Sequence, residues 1–236
     1  MLQARNLTKR YGRFTALSDV SFSIREGEVL GLIGPNGSGK TTLFECMGGV
    51  LPLDAGSLTR DGRPLSVRER TSTLFYLPDA ITPWPAQPVR WAIDFTLGFF
   101  GGRAHLRDEV TERFELPPLL DVAIGNLSKG QRKRALLAIG LLMPQPLLLA
   151  DEPFDGLDLR QSRDVAQMLR SYASAGRTMF LSIHQIRDAA RVCDRFVLLS
   201  SGRGCGEGTL HELSALAAAR GAAPDSDLEE VFLALT

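Results

Sequence analysis

The segment Gly34-Pro35-Asn36-Gly37-Ser38-Gly39-Lys40-Thr41 matches the spacing G-x-x-x-x-G-K-[ST]. Glycines at such positions let consecutive backbone N–H groups turn toward one anion, where side chains would crowd it. A helix that starts directly after the loop adds its positive end. Lys40 is then expected to reach the β- and γ-phosphates of a nucleoside triphosphate, and the Thr41 hydroxyl to coordinate Mg²⁺. An acidic centre lies far downstream, where Asp151 and Glu152 follow the apolar run Leu147 to Ala150. Two carboxylates at the end of a buried strand are costly unless one meets a cation and the other meets solvent or substrate. Asp151 suits Mg²⁺, directly or through a water, and Glu152 suits the base that activates an attacking water. An acidic pair after a strand is also an ordinary turn or helix cap; beside a phosphate loop the functional reading is preferred.

The run Leu127-Ser128-Lys129-Gly130-Gln131 opens an apolar stretch, and by itself Ser128 with Gln131 is a capping box, the start of a helix. In chain order, however, this run, the segment LLLADEP at 147–153, Asp155-Gly156-Leu157-Asp158 and an apolar run ending in His184 together resemble the motif set of ABC ATPase subunits. The resemblance extends from Leu2 to about residue 210.

It implies an ABC ATPase fold: an α/β P-loop NTPase core with a mainly parallel sheet, an antiparallel β subdomain and an inserted helical subdomain. It implies ATP and Mg²⁺ as cofactors, with the loop from Gly34 through Pro35, Asn36, Gly37, Ser38, Gly39, Lys40, Thr41 and Thr42 around the phosphates. By the same resemblance, Ser128, Gly130 and Gln131 serve a nucleotide bound by a second subunit, so that two ATP molecules lie head to tail between two chains. Asp158 ends the loop that links the two sites, and His184 holds the position that contacts the γ-phosphate and orients water. Tyr11 stands where the family stacks a ring on adenine; a half-buried strand aromatic explains it as well. At Asp79, in Tyr76-Leu77-Pro78-Asp79, the family usually has Gln and in several exporter subgroups Glu. Aspartate keeps a hard oxygen for a metal but shortens the arm by a carbon, which puts direct Mg²⁺ contact in question.

The elements that must position these groups can be read coarsely. Val29 to Ile33, Leu147 to Ala150 and Thr178 to Ile183 look like buried parallel strands with polar residues at their C-terminal ends, where open α/β sheets place ligands. Thr41 to Gly49 and Leu159 to Ala175 read as helices, the second closed by Gly176. Alternation over 1–30 and about 55–75 suggests the antiparallel subdomain. The core is expected over about 28–54, 74–80 and 144–212, the helical subdomain over 81–143 and a helical tail over 213–236. In the tail, Ser226 and Glu229 have capping-box spacing, and Leu228, Val231, Phe232 and Leu235 share a face.

Composition narrows the class. Lys+Arg and Asp+Glu are both 27, so the net charge is zero, which argues against a nucleic-acid binder held by phosphate contacts. Cys46, Cys193 and Cys205 are too few and too scattered for a disulfide framework or a metal cluster. The start of the chain, MLQARNLTKRYG, has no secretory apolar stretch, and Ala135 to Ala150 is too short to span a bilayer. The expected place is therefore the cytoplasmic face of a membrane, reached through a separate integral permease, with the ATPase paired with itself or with a similar subunit. A soluble ABC-type ATPase would normally carry two fused units or a long coiled coil. A P-loop GTPase or small-molecule kinase would lack LSKGQ, and a non-hydrolysing regulator would not need Glu152. Export is favoured over import by the tail LEEVFLALT and by the acidic residue at 79; the cargo is not legible.

Overall fold

Alternating burial makes β1 (Leu2–Tyr11) and β2 (Phe14–Ile24) a hairpin, with Leu2, Ala4, Leu7, Leu17, Val20 and Ile24 turned inward. The computed structural model describes residues 1–79, 81–223 and 226–236; Ala80, at the edge of the expected core segment, lies outside them, as do Pro224 and Asp225 of the tail. A wholly buried β3 (Val29–Ile33) leads through the glycine loop into α1 (Lys40–Gly48). Then come β4 (Ala55–Arg60), the short β5 (Arg63–Pro64), α2 (Val67–Thr73) and β6 (Leu74–Leu77). A helical stretch follows: α3 (Val89–Phe100), α4 (Arg107–Arg113) and α5 (Lys129–Leu142). The chain ends with β7 (Leu147–Asp151), α6 (Leu159–Ser174), β8 (Thr178–Ile183), α7 (Ile186–Val192), β9 (Arg195–Ser200), β10 (Arg203–Gly208), α8 (Leu210–Ala218) and α9 (Leu228–Leu235).

Two sheets result. One runs β2-β1-β4-β5, antiparallel throughout; the other runs β10-β9-β3-β8-β7-β6, parallel except for the edge pair β9–β10. In the parallel sheet Ile33 pairs with Ile183, Asp151 with Ser182 and Leu77 with Ala150, so the C-terminal ends of β3, β6, β7 and β8 lie side by side. That edge is where an open parallel sheet gathers its ligand groups. Between the sheets, Phe22, Phe44 and Phe180 pack with ring centroids 5.2 and 4.9 Å apart, fixing α1 against both layers.

The structure departs from expectation in two places. The alternation assigned over 55–75 ends at β5, where Ser66 and Glu69 form a capping box that starts α2; β6 lies beside β7 in the parallel sheet, within the segment 74–80 expected for the core. In the tail the capping pair is Asp227 with Glu230, one residue on; the Ser226 hydroxyl bonds back to Ala223 instead. Aspartate accepts from both Glu229 and Glu230 N–H, which a serine one position earlier does not reach. Leu228, Val231 and Leu235 are buried as expected, and Phe232 is half-buried.

Candidate nucleotide site

Helix α1 begins at Gly39, which has φ +104° and no side chain capping the helix. A Cβ at Gly39 would stand 2.8 Å from Ala16 O, so the close approach of the loop to β2 needs glycine there. The first N–H groups of α1 are thus left for an anion rather than for a cap. Lys40, nearly buried, folds back over the loop and donates to Gly34 O at 2.9 Å and Pro35 O at 3.3 Å. Its Nζ lies 3.6 Å from Glu152 Oε1. These contacts hold an ammonium above the loop, with Glu152 as its carboxylate neighbour.

The Thr41 hydroxyl donates to Asp151 Oδ2 at 2.8 Å, and the Ser182 hydroxyl donates to Asp151 Oδ1. Asp151 is buried, so both oxygens needed partners, and two hydroxyls supply them. Ser182 inside the apolar run Met179 to Ile183 of β8 was the sequence signal for this contact, since a buried polar residue must find a partner.

Glu152 adopts φ +48°, a left-handed conformation that costs a side-chain-bearing residue about 1–3 kcal/mol. Its N–H is held by Ser182 O at 3.2 Å and Ser182 Oγ at 3.0 Å, which offsets part of that cost and turns the carboxylate off the strand end. Glu152 Oε2 accepts from His184 N–H at 3.2 Å and lies 2.6 Å from His184 Nδ1.

Lys40, Thr41, Thr42, Asn36, Gly37, Gly39, Asp79 and Glu152 line one open cleft of about 460 Å³ together with Tyr11, Phe14 and Ala16. Tyr11 and Phe14 face each other across the hairpin turn, 46% and 65% exposed, so Tyr11 is not a half-buried strand aromatic. Phe14 was not picked out from the sequence; a two-residue turn at Gly12-Arg13 pairs it with Tyr11 and would have found it. Pro35 is exposed on the loop, and the Ser38 hydroxyl is buried without a partner among the described residues. Asp79 does not stand free: its Oδ1 is 2.7 Å from Lys133 Nζ.

Ser128, Gly130, Gln131 and Asp158 do not line this cleft. Ser128 and Gln131 form the expected capping box at the start of α5, with Ser128 N–H to Gln131 Oε1 at 2.9 Å and Gln131 N–H to Ser128 Oγ at 3.2 Å. Asp158 caps α6 by accepting from Arg160 and Gln161 N–H at 2.9 and 2.8 Å. A Cβ at Gly130 would meet Gly156 O at 2.8 Å, which seats the start of α5 on the loop before α6. Of these four, Ser128 and Asp158 are exposed, Gln131 is half-buried and Gly130 is buried against Gly156; Leu159 beside them is 80% exposed.

The family model described as ABC transporter matches residues 17–155 of this chain. The Nod factor export ATP-binding protein I of Burkholderia orbicola (strain AU 1054) is 34% identical over 89% of this chain and 71% of its own length. The SkfA peptide export ATP-binding protein SkfE of Bacillus subtilis (strain 168) is 30% identical over 86% of this chain and 87% of its own length. Among solved structures, the dimeric structure of MJ0796, a bacterial ABC transporter cassette, superposes with a TM-score of 0.80 at 26% identity, covering 89% of this chain and 99% of that one. The phosphate loop, the acidic strand end and these likenesses agree: the chain belongs to the ABC transporter family, as an ATP-binding and ATP-hydrolysing subunit.

Proposed function

We infer that the chain is the motor of an exporter, working as a pair of ATPase subunits beneath a separate membrane-spanning permease. One observation carries the pairing. The cleft is lined by Asn36, Gly37, Gly39, Lys40, Thr41 and Thr42 of the loop and by Glu152, while the start of α5, with exposed Ser128 and buried Gly130, lies outside it. Each half is incomplete alone, and two chains arranged head to tail complete both. The dimeric likeness to MJ0796 supports the same arrangement.

In the site so completed, the N–H groups opening α1 and the Lys40 ammonium bind the β- and γ-phosphates, and Tyr11 with Phe14 flanks the base. Gln131 and Asp158 hold the start of α5 and the linking loop against the second nucleotide. Glu152 takes the proton of the attacking water, and His184, which holds the Glu152 carboxylate, orients it. Thr41 Oγ1 and Asp151 Oδ2 sit 2.8 Å apart and are both hard oxygens, the donor type that Mg²⁺ takes. When bound there, Mg²⁺ supplies charge neutralisation at the β- and γ-phosphate oxygens.

A second feature supports a docking place for the permease. Trp91, Phe95 and Phe99 recur every four residues along α3, and their rings stack at 4.8 and 6.1 Å between centroids. Phe95 and Phe99 of this stripe, with Trp84, Phe100, Phe75 and Leu136, line an apolar groove of about 330 Å³ beside the end of β6. Phe99 is 71% exposed and Trp84 40%. Rigid aromatics with little entropy left to lose make interface anchors, and the groove suits an amphipathic helix from the permease. Among the described residues no helix is long and apolar enough to cross a membrane, so contact with the bilayer runs through that partner at the cytoplasmic face. Both relatives named above are export proteins, which supports export as the direction. Purification from native membranes in mild detergent tests this: a multi-span membrane protein should copurify in fixed ratio and stimulate ATP hydrolysis. A chain recovered only free of membrane proteins, with turnover unaffected by membrane extract, contradicts it.

A further inference from the structure

Asp79 and Lys133 form an ion pair that the motifs do not account for. Lys133 lies on the buried face of α5 with its side chain 7% exposed, and its Nζ is 2.7 Å from Asp79 Oδ1 and 3.5 Å from Asp151 O. No other carboxylate lies within salt-bridge distance of that ammonium among the described residues. A buried ammonium left without its counter-charge is strongly destabilising, so Asp79 cannot turn to a metal without cost. The short aspartate arm fits the long lysine. A glutamine here would offer the ammonium only a neutral acceptor and would leave its buried charge without a counter-charge.

The pair also joins two functional regions. Asp79 ends the segment after β6, directly before the Trp84 loop and the aromatic groove, and it lines the nucleotide cleft. Lys133 lies one helical turn from Gly130, near the start of α5. The only polar tie from the segment after β6 to α5 among the described residues is this bond.

We propose that Asp79 is a positioning residue rather than a metal ligand: its ion pair with Lys133 holds α5, and with it Ser128 and Gly130, in register with the groove and the cleft. This rests on the ATPase reading above and assigns the acidic residue at 79 a partner within its own chain. Losing either half of the pair misplaces the start of α5 for the second subunit's nucleotide while leaving the chain's own phosphate loop intact.

The test is a double-mutant cycle on the full chain with Asp79→Asn and Lys133→Gln, reading ATP affinity, kcat, and the Mg²⁺ concentration for half-maximal turnover. Each single variant should lower kcat about tenfold, with ATP affinity and half-maximal Mg²⁺ within about twofold of the parent. The double variant should be no slower than the worse single one, because the second change removes nothing further. Exchanging the charges, Asp79→Lys with Lys133→Asp, should recover part of the lost kcat, which a general packing defect would not allow. Lys133→Met removes the charge without adding a buried polar group and takes the place of Lys133→Gln if the glutamine variant misfolds. A several-fold rise in half-maximal Mg²⁺ confined to Asp79→Asn, or losses that simply multiply in the double variant, would overturn the proposal. Loss of ATP binding by the unaltered chain would instead refute the ATPase reading on which it rests.

Discussion

Lys129 Nζ stands 2.5 Å from Asp155 Oδ2, and the lysine stem crosses Gly156, where a Cβ would come within 2.6 Å of Lys129 Cγ. The start of α5 and the loop before α6 are thereby one unit, and a lysine between Ser128 and Gly130 has a defined seat. The hydrogen bond from Lys129 holds the Asp155 carboxyl below its ordinary range. A carboxyl with a lowered folded value adds stability above its unfolded value and loses it as pH falls through the folded one. Lys129→Ala should therefore destabilise the chain near pH 7 by about 0.2–1 kcal/mol, the range for a largely solvent-screened pair. The gap from the parent in urea titrations should narrow as acid protonates Asp155. A gap that stays constant down to acid pH would assign the effect to something other than this pair.

Glu152→Gln should leave ATP binding intact and slow steady-state hydrolysis roughly 10²–10⁴-fold, the share general-base catalysis contributes. The change is nearly isosteric, so the contacts from Ser182 to Glu152 N–H survive it. Unaltered turnover would remove Glu152 from the role of base.

Lys40→Ala should weaken ATP binding at least about tenfold in a fluorescence titration, since a hydrogen bond to a charged group contributes about 1.5–3 kcal/mol. In the free chain Lys40 touches backbone carbonyls and Glu152, so thermal stability should change little by comparison. Equal ATP affinity in the two proteins would make the loop a structural turn.

Phe99→Ala should leave stability within about 0.5 kcal/mol of the parent, because a residue 71% exposed gives up little burial. It should nonetheless reduce copurification of the membrane partner. Trp84→Ala tests the same groove from the loop side, with some loss of stability from the contacts of Trp84 to Trp91 and Phe95. Retained assembly with both variants would show that the groove does not receive the partner.

The parts of the site legible in the sequence were those whose chemistry is local. Gly34 to Thr41 is one loop, Asp151-Glu152 one strand end, and Ser128 with Gln131 one capping box, so spacing alone locates them. The groups that escaped are paired across the fold. Ser182 meets Asp151 only because β7 and β8 are neighbours, and Lys133 meets Asp79 across 54 residues of chain. The same holds for the fold. β3, β7 and β8 announce themselves as apolar runs, whereas α2 was hidden inside the alternation assigned over 55–75, because its Ser66–Glu69 capping box is short and polar. The four-residue recurrence of Trp91, Phe95 and Phe99 becomes one aromatic stripe only because all three lie on α3.

The pairing of two chains around ATP is tested most directly by the mass of the Glu152→Gln variant in solution with ATP and Mg²⁺. Blocked hydrolysis should hold the closed pair together, so size exclusion with light scattering should move from the 25.7 kDa of one chain to about twice that value when ATP is added. Removal of ATP should return it to one chain. A mass that stays at one chain at high protein concentration with saturating ATP would contradict the shared-site account.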